Sequence, residues 1–136
     1  MAHILVVEDD RLTAQLFEII LKRKGGFEVT VTDDGEKITE LLNSGKVDLI
    51  IMDVSLSGTF VNGVQVDGLK LSRMIKENEN TAKIPIILAT AHAMRGDAER
   101  FLAESKADDY ISKPITDHDA LIEKIRGYLN EPGDKR

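Results

Sequence analysis

Asp48-Leu49-Ile50-Ile51-Met52-Asp53 is the stretch whose reading decides the fold. Its apolar run is unbroken rather than alternating, as in a strand buried on both faces of a parallel sheet. Asp48 to Met52 is predicted as a strand, with Asp53 directly after it. Working outward, His3 to Val7 is a second such run, Phe27 to Val31 and Pro85 to Ala89 read as strands, and Asp109 to Ser112 as a short last one. Helical spacings lie between them. Leu12, Leu16, Ile19 and Ile20 mark a helix ending at Gly25-Gly26, and Ile38, Leu41 and Leu42 one that opens at Asp33-Asp34-Gly35. Leu69 to Ile75 supplies a third, running to about Asn78, and Asp97 to Ser105 a fourth with Phe101 and Leu102 inward. Asp117 to Leu129 is the last, with Leu121, Ile122, Ile125 and Leu129 on one stripe. This alternation implies one α/β domain, a doubly wound parallel sheet with right-handed crossovers and helices on both faces. The domain is expected to occupy residues 1–130, with 131–136 a flexible C-terminal tail.

Composition narrows the functional classes. A chain of 136 residues has room for one domain. Lys and Arg total 18 against 24 for Asp and Glu, a net charge of −6 that disfavours direct, phosphate-driven nucleic-acid binding. Aromatics make up 4% with no tryptophan, which argues against a stacking platform for single strands. Cysteine is absent, so disulfide scaffolds, thiol catalysis and Cys-ligated metals are excluded. No apolar stretch approaches the roughly 18 residues a membrane helix requires. The run Ile4-Leu5-Val6-Val7 stops at Glu8-Asp9-Asp10, unlike a signal peptide. The expectation is a cytoplasmic protein without membrane insertion.

Open α/β sheets bind ligands at the C-terminal ends of their strands, near the topological switch point. Glu8, Asp9 and Asp10 follow the first strand and Asp53 follows the third. If those strands are neighbours, at least three carboxylates share a pocket, where mutual repulsion and burial oppose ionisation. A divalent cation relieves both, and oxygen donors without His or Cys favour magnesium or manganese over zinc. Asp10 has a second reading, as the N-cap of a helix beginning near Arg11, and Asp53 one as a turn former. Thr90 ends the fourth strand and Lys113 the fifth, so both reach the same edge. A hydroxyl and an ammonium can hold phosphoryl oxygens, although each is ordinary alone. Together these strand ends carry the parts of a phosphoryl-transfer site.

In combination the motifs resemble a response-regulator receiver domain of bacterial two-component signalling, of the chemotaxis-regulator-like, stand-alone type. They are Ile-Leu-Val-Val-Glu-Asp-Asp at 4–10, Asp-Leu-Ile-Ile-Met-Asp at 48–53, Ile-Pro-Ile-Ile-Leu-Ala-Thr-Ala at 84–91 and Asp-Tyr-Ile-Ser-Lys-Pro-Ile at 109–115. The resemblance covers essentially residues 3–130. It implies a flavodoxin-like (βα)5 fold with a five-stranded parallel sheet in the order 2-1-3-4-5. It further implies that Asp53 accepts a phosphoryl group from a phosphohistidine on a sensor histidine kinase or a histidine phosphotransfer protein. Asp9 and Asp53 would ligate Mg2+ directly, with the carbonyl of Ser55, while Glu8 acts through water; Mn2+ is an alternative ion. Thr90 and Lys113 would hold the phosphoryl oxygens, and Lys113-Pro114 would be a cis peptide. Tyr110 occupies the family's aromatic switch position. In the family the threonine moves toward the phosphoryl group and the ring turns inward. The face made by the fourth helix, fifth strand and fifth helix is thereby remodelled to control a downstream protein. Ser55 and His92 stand at positions the family uses to tune hydrolysis; His92 also reads as a general base or as an exposed loop residue. On this reading the chain is a phosphoacceptor that promotes only its own phosphorylation and dephosphorylation, not an enzyme. The chemistry agrees: a carboxylate is a nucleophile toward phosphorus, and catalysis is positioning plus charge neutralisation.

The chain departs from the family at two places. Ser57 stands where many receivers have a proline, so the loop is expected to be less rigid. The span from Asp53 to Asp67-Gly68 is about seven residues longer than usual, and long loops in compact domains tend to be functional or mobile. The extra stretch falls within Thr59-Phe60-Val61-Asn62-Gly63-Val64-Gln65, where Asn62-Gly63 reads as a type I′ hairpin turn. A small hairpin or flap beside the site is expected. It would restrict hydrolysis or contact a partner, or else be a silent insertion. The run at 90–97 is more similar to receivers of hybrid kinases and stand-alone phosphorelay regulators than to those of DNA-binding regulators. Alternative readings are a receiver fragment of a longer regulator, a magnesium-dependent aspartyl-phosphate phosphatase, and a pseudo-receiver that only binds partners. The first is compatible with every motif. The second needs a substrate cap for which the insertion is small, and the full set of key residues speaks against the third.

Overall fold

Strand β1 (His3–Val7) leads through helix α1 (Arg11–Arg23) to β2 (Glu28–Thr32), and α2 (Gly35–Asn43) leads on to β3 (Leu49–Asp53). A short pair, β4 (Thr59–Val61) and β5 (Val64–Val66), precedes α3 (Gly68–Glu77). Then follow β6 (Ile86–Thr90), α4 (Asp97–Ser105), β7 (Asp109–Ser112) and α5 (His118–Leu129). The structure is a computed structural model and describes residues 1–91 and 96–129. His92 and the tail 131–136 lie outside the described residues.

The main sheet runs β2-β1-β3-β6-β7, with every pairing parallel. This is the expected order 2-1-3-4-5; the labels differ because the hairpin takes two of them. Alternate residues of the central strands feed opposite faces. Ile4, Val6, Leu49, Ile51, Ile87 and Ala89 meet Phe17 and Leu21 of α1 and Leu121, Ile122 and Ile125 of α5. Leu5, Val7, Ile50, Met52, Ile86 and Leu88 meet Ile38 of α2, Leu71 and Ile75 of α3, and Phe101 and Leu102 of α4. Both faces are covered, so both phases of each strand are apolar and the runs are unbroken. Each such aliphatic side chain contributes about 1.5–3 kcal/mol over leaving it exposed, which makes these strands a rigid platform.

Five element boundaries differ from expectation for a clear local reason. Phe27 is not in β2: its amide bonds the carbonyl of Leu21 at 3.2 Å, closing α1 over Gly26 at φ 68°. Asp48 precedes β3 and accepts the amide of His3 on its carboxylate at 2.8 Å. Asp53 belongs to β3 and pairs with Ala89, so the sheet holds its backbone. Pro85 has no N–H to give the ladder, and β6 therefore starts at Ile86. Asp117 lies before α5 and caps it, accepting the amide of Ala120 at 2.9 Å.

The expected hairpin is present. Thr59 pairs with Val66, Phe60 with Gln65 and Val61 with Val64, antiparallel. Asn62 and Gly63 turn with φ of 53° and 80°, the left-handed pair a type I′ turn demands. The hairpin is seated on the start of α2. Oγ1 of Thr59 donates to the carbonyl of Asp33 at 2.8 Å. A Cβ on Gly35 would fall 1.8 Å from the carbonyl oxygen of Phe60, so only glycine permits this approach. At its base Val66 is buried in the same cluster as Leu56.

Candidate functional site

The chain leaves β1 toward β2 on one side and β3 toward β6 on the other, so the crevice between β1 and β3 is the switch point of the sheet. Val7 is in register with Met52, which puts Glu8 beside Asp53 one step further on. One carboxylate oxygen each from Glu8, Asp9 and Asp53 lies within 4.8 Å of the others. Glu8 and Asp53 are buried, at 4% and 2% exposure, whereas Asp9 is exposed. Lys113, just past β7, reaches back across β6. Its Nζ lies 3.1 Å from Oε1 of Glu8 and 3.0 Å from Oδ1 of Asp53. The same Asp53 oxygen accepts the amide of Ser55 at 3.1 Å.

Beneath Asp53, the N-terminus of α3 comes as close as backbone allows. A Cβ on Gly68 would fall 1.9 Å from the carbonyl oxygen of Asp53, and the Gly68 amide bonds the carbonyl of Val54 at 3.1 Å. Thr90 is buried at the end of β6, and its carbonyl accepts the amide of Lys113 at 2.9 Å. The Lys113-Pro114 peptide is cis, as expected. Tyr110 lies in β7 opposite Leu88, partly buried against the second core cluster. Nζ of Lys124 donates to its carbonyl at 3.3 Å.

Charge in the pocket is unbalanced: one ammonium faces two buried carboxylates, with a third close by. Burial first, then a hydrogen bond with Asp53, push the Glu8 carboxyl up to about 7, outweighing the Asp10 amide and Lys113. Burial alone would lower the pKa of Lys113; the hydrogen bonds and charges of Asp53 and Glu8 outweigh it and hold the ammonium above its ordinary value. Surplus negative charge and an all-oxygen donor set suit a hard divalent cation.

The three neighbouring acids have separate fates. Asp10 is the cap of α1: its Oδ2 accepts the amide of Thr13 at 2.9 Å and the Thr13 hydroxyl at 2.6 Å. The Thr13 hydroxyl and amide together lower its pKa. Glu8 and Asp9 alone of the three serve the pocket. Sequence reasoning missed the partner of Asp9, which is Ser57. Its amide and Oγ lie 3.1 and 3.2 Å from Oδ2 of Asp9. The one signal was the missing proline, which leaves an N–H at position 57.

The switch-point crevice, with its acids and the lysine drawn into it, is the arrangement of a receiver. The response regulator receiver domain family matches residues 4–126, and the chain belongs to it. It is 34% identical over 128 residues to the polar-differentiation response regulator DivK of Brucella anthropi, covering 94% of this chain and 96% of that protein. DivK of Brucella ovis aligns to the same extent. Among solved structures, a putative response regulator from Chloroflexus aurantiacus superposes with a TM-score of 0.80 at 27% identity, over 96% of this chain and 98% of that one. The receiver domain of a sensor histidine kinase from Pseudomonas aeruginosa PAO1 does so with a TM-score of 0.78 at 30% identity, over 96% and 98%. That protein has a magnesium ion coordinated in its active-site cleft. The relationship does not favour the phosphatase alternative. Among the described residues, no helix is long and apolar enough to cross a membrane.

Proposed function

We propose that Asp53 is the phosphoacceptor of this receiver, taking a phosphoryl group from a phosphohistidine on a sensor histidine kinase or histidine phosphotransfer protein. The observation that carries the reading is the ammonium of Lys113 held at once by Asp53 and Glu8 in a buried pocket. An oxygen of the Asp53 carboxylate attacks phosphorus, the P–N bond breaks, and the imidazole leaves with its electron pair. Lys113 neutralises charge on the phosphoryl oxygens and the Thr90 hydroxyl donates to one of them. Glu8, Asp9, Asp53 and the Ser55 carbonyl are the residues that would hold Mg2+ or Mn2+. Such an ion supplies charge neutralisation to the same oxygens. Ser55 and His92 adjust how fast water reaches the acyl phosphate. Occupancy of Asp53 biases Thr90 and Tyr110, and through them the surface of α4, β7 and α5 that meets a downstream protein.

Intact-mass spectrometry after incubation with magnesium and acetyl phosphate tests this. The expected result is one added phosphoryl group in the wild type and none in Asp53→Ala. An adduct on Asp53→Ala would overturn the assignment. So would the lack of an adduct both in the wild type and in a variant deleted for residues 59–65, the latter serving as control for a site closed to small donors.

A further inference from the structure

Ser57 uses two donors that a proline lacks, and it spends both on one atom. Its N–H and Oγ both reach Oδ2 of Asp9, leaving the second carboxylate oxygen of Asp9 for another ligand. Asp9 is the exposed member of the acidic cluster. Packing and the Lys113 ammonium hold Glu8 and Asp53; the position of Asp9 rests on Ser57. Ser57 is held in turn by the inserted hairpin, where Nε2 of Gln65 donates to its carbonyl at 2.5 Å. Gln65 sits in β5 opposite Phe60, and Phe60 is the residue whose carbonyl packs on Gly35 at the start of α2. A continuous line of contacts therefore runs from α2 through the hairpin and Ser57 to a carboxylate of the pocket.

We propose that Ser57 is a positioning residue for Asp9, and that the hairpin, acting through Gln65, sets the affinity of the acidic cluster for a divalent cation. The inference rests on the metal reading of that cluster given above. A ligand already held in place loses little freedom when a cation arrives, and the outer partners of metal ligands are typically worth about 10–100-fold in affinity. An exposed carboxylate on a free rotor has no such preparation. The inserted stretch is on this account a fixed brace for the pocket rather than a silent loop.

The test is a magnesium titration of the intact chain followed by amide NMR shifts, with thermal unfolding of each metal-free protein as the control for folding. Ser57→Pro removes both donors and is expected to weaken binding roughly tenfold. Ser57→Ala keeps the amide and falls between, and Ser57→Thr retains wild-type affinity. Gln65→Leu leaves Ser57 itself intact and is expected to weaken binding about threefold. It keeps the proposal falsifiable if the proline variant does not fold. Unchanged or tighter binding in Ser57→Ala and Gln65→Leu, with a wild type that binds, overturns the positioning role and leaves the metal reading standing. A wild type that shows no binding at millimolar magnesium overturns both.

Discussion

The ammonium nitrogen of Lys113 lies 3.0 Å from Oδ1 of Asp53, across 60 residues of chain and with β6 between their two strands. The contact exists because both residues sit at C-terminal ends of parallel strands, where the chain is free to turn inward over the edge.

Replacing Lys113 with alanine leaves Glu8 and Asp53 facing each other with no cation. Acetyl-phosphate labelling of Asp53, followed by intact mass against time, is expected to slow by on the order of tenfold or more. Lys113→Arg keeps the charge but not the compact point geometry, and partial recovery is expected. Wild-type labelling kinetics in Lys113→Ala would sink this role.

Asp9 and Asp10 are adjacent, yet their alanine variants should fail in opposite ways. Asp10→Ala removes the cap of α1, so its thermal unfolding midpoint falls while its magnesium titration stays that of the wild type. Asp9→Ala loses magnesium affinity and keeps the midpoint of the metal-free protein. A capping role for Asp9 would reverse the pattern.

Two glycines in helices predict opposite signs. Gly68→Ala drives a methyl group against the Asp53 carbonyl and is expected to cost about 1–3 kcal/mol in urea denaturation. The backbone under Asp53 must shift to admit it, so labelling of Asp53 by acetyl phosphate is expected to slow as well. Gly127, within α5, has nothing within 4 Å of an added Cβ. Gly127→Ala is expected to stabilise by about 0.5–1 kcal/mol.

Tyr128 anchors the end of α5 to β7, its hydroxyl donating to the Asp109 carboxylate at 3.0 Å with the Asp108 carbonyl also within reach at 3.1 Å. Burial first, then the Asp109 hydrogen bond and charge, push the phenol up to about 12. Because the folded value lies above the ordinary one of 10, this contribution to stability is complete below pH 10 and is lost as pH rises through about 12. The chain has two tyrosines, so an absorbance titration in a Tyr110→Phe background reads Tyr128 alone. Asp109→Asn is expected to bring the midpoint back toward 10, and an unmoved midpoint would count against the contact.

The fold was legible because its signals are local. Leu49 to Met52 is apolar at every position, a pattern that arises when both faces of a strand are dry. Asn62-Gly63 announces its hairpin because few other pairs adopt two left-handed conformations in succession. The candidate site was legible to the extent that it sits on strand ends: Glu8, Asp53, Thr90 and Lys113 follow from strand order once the sheet is parallel. Element ends were less legible, as with Phe27 and Asp117, because a tertiary or capping contact there outweighs the pattern by one residue.

Glu8-Asp9-Asp10 marks where sequence stops deciding. By itself the sequence determined that acids follow β1 and that β1 ends at the ligand-binding edge of the sheet. Only the tertiary structure decided that Glu8 turns inward to Lys113, that Asp9 is held by Ser57 of a loop 48 residues away, and that Asp10 caps its own helix. Once the chain leaves the ladder its side chains no longer alternate by rule. Their directions follow from which donors other segments bring within hydrogen-bond reach, and that information resides in the packing of distant residues.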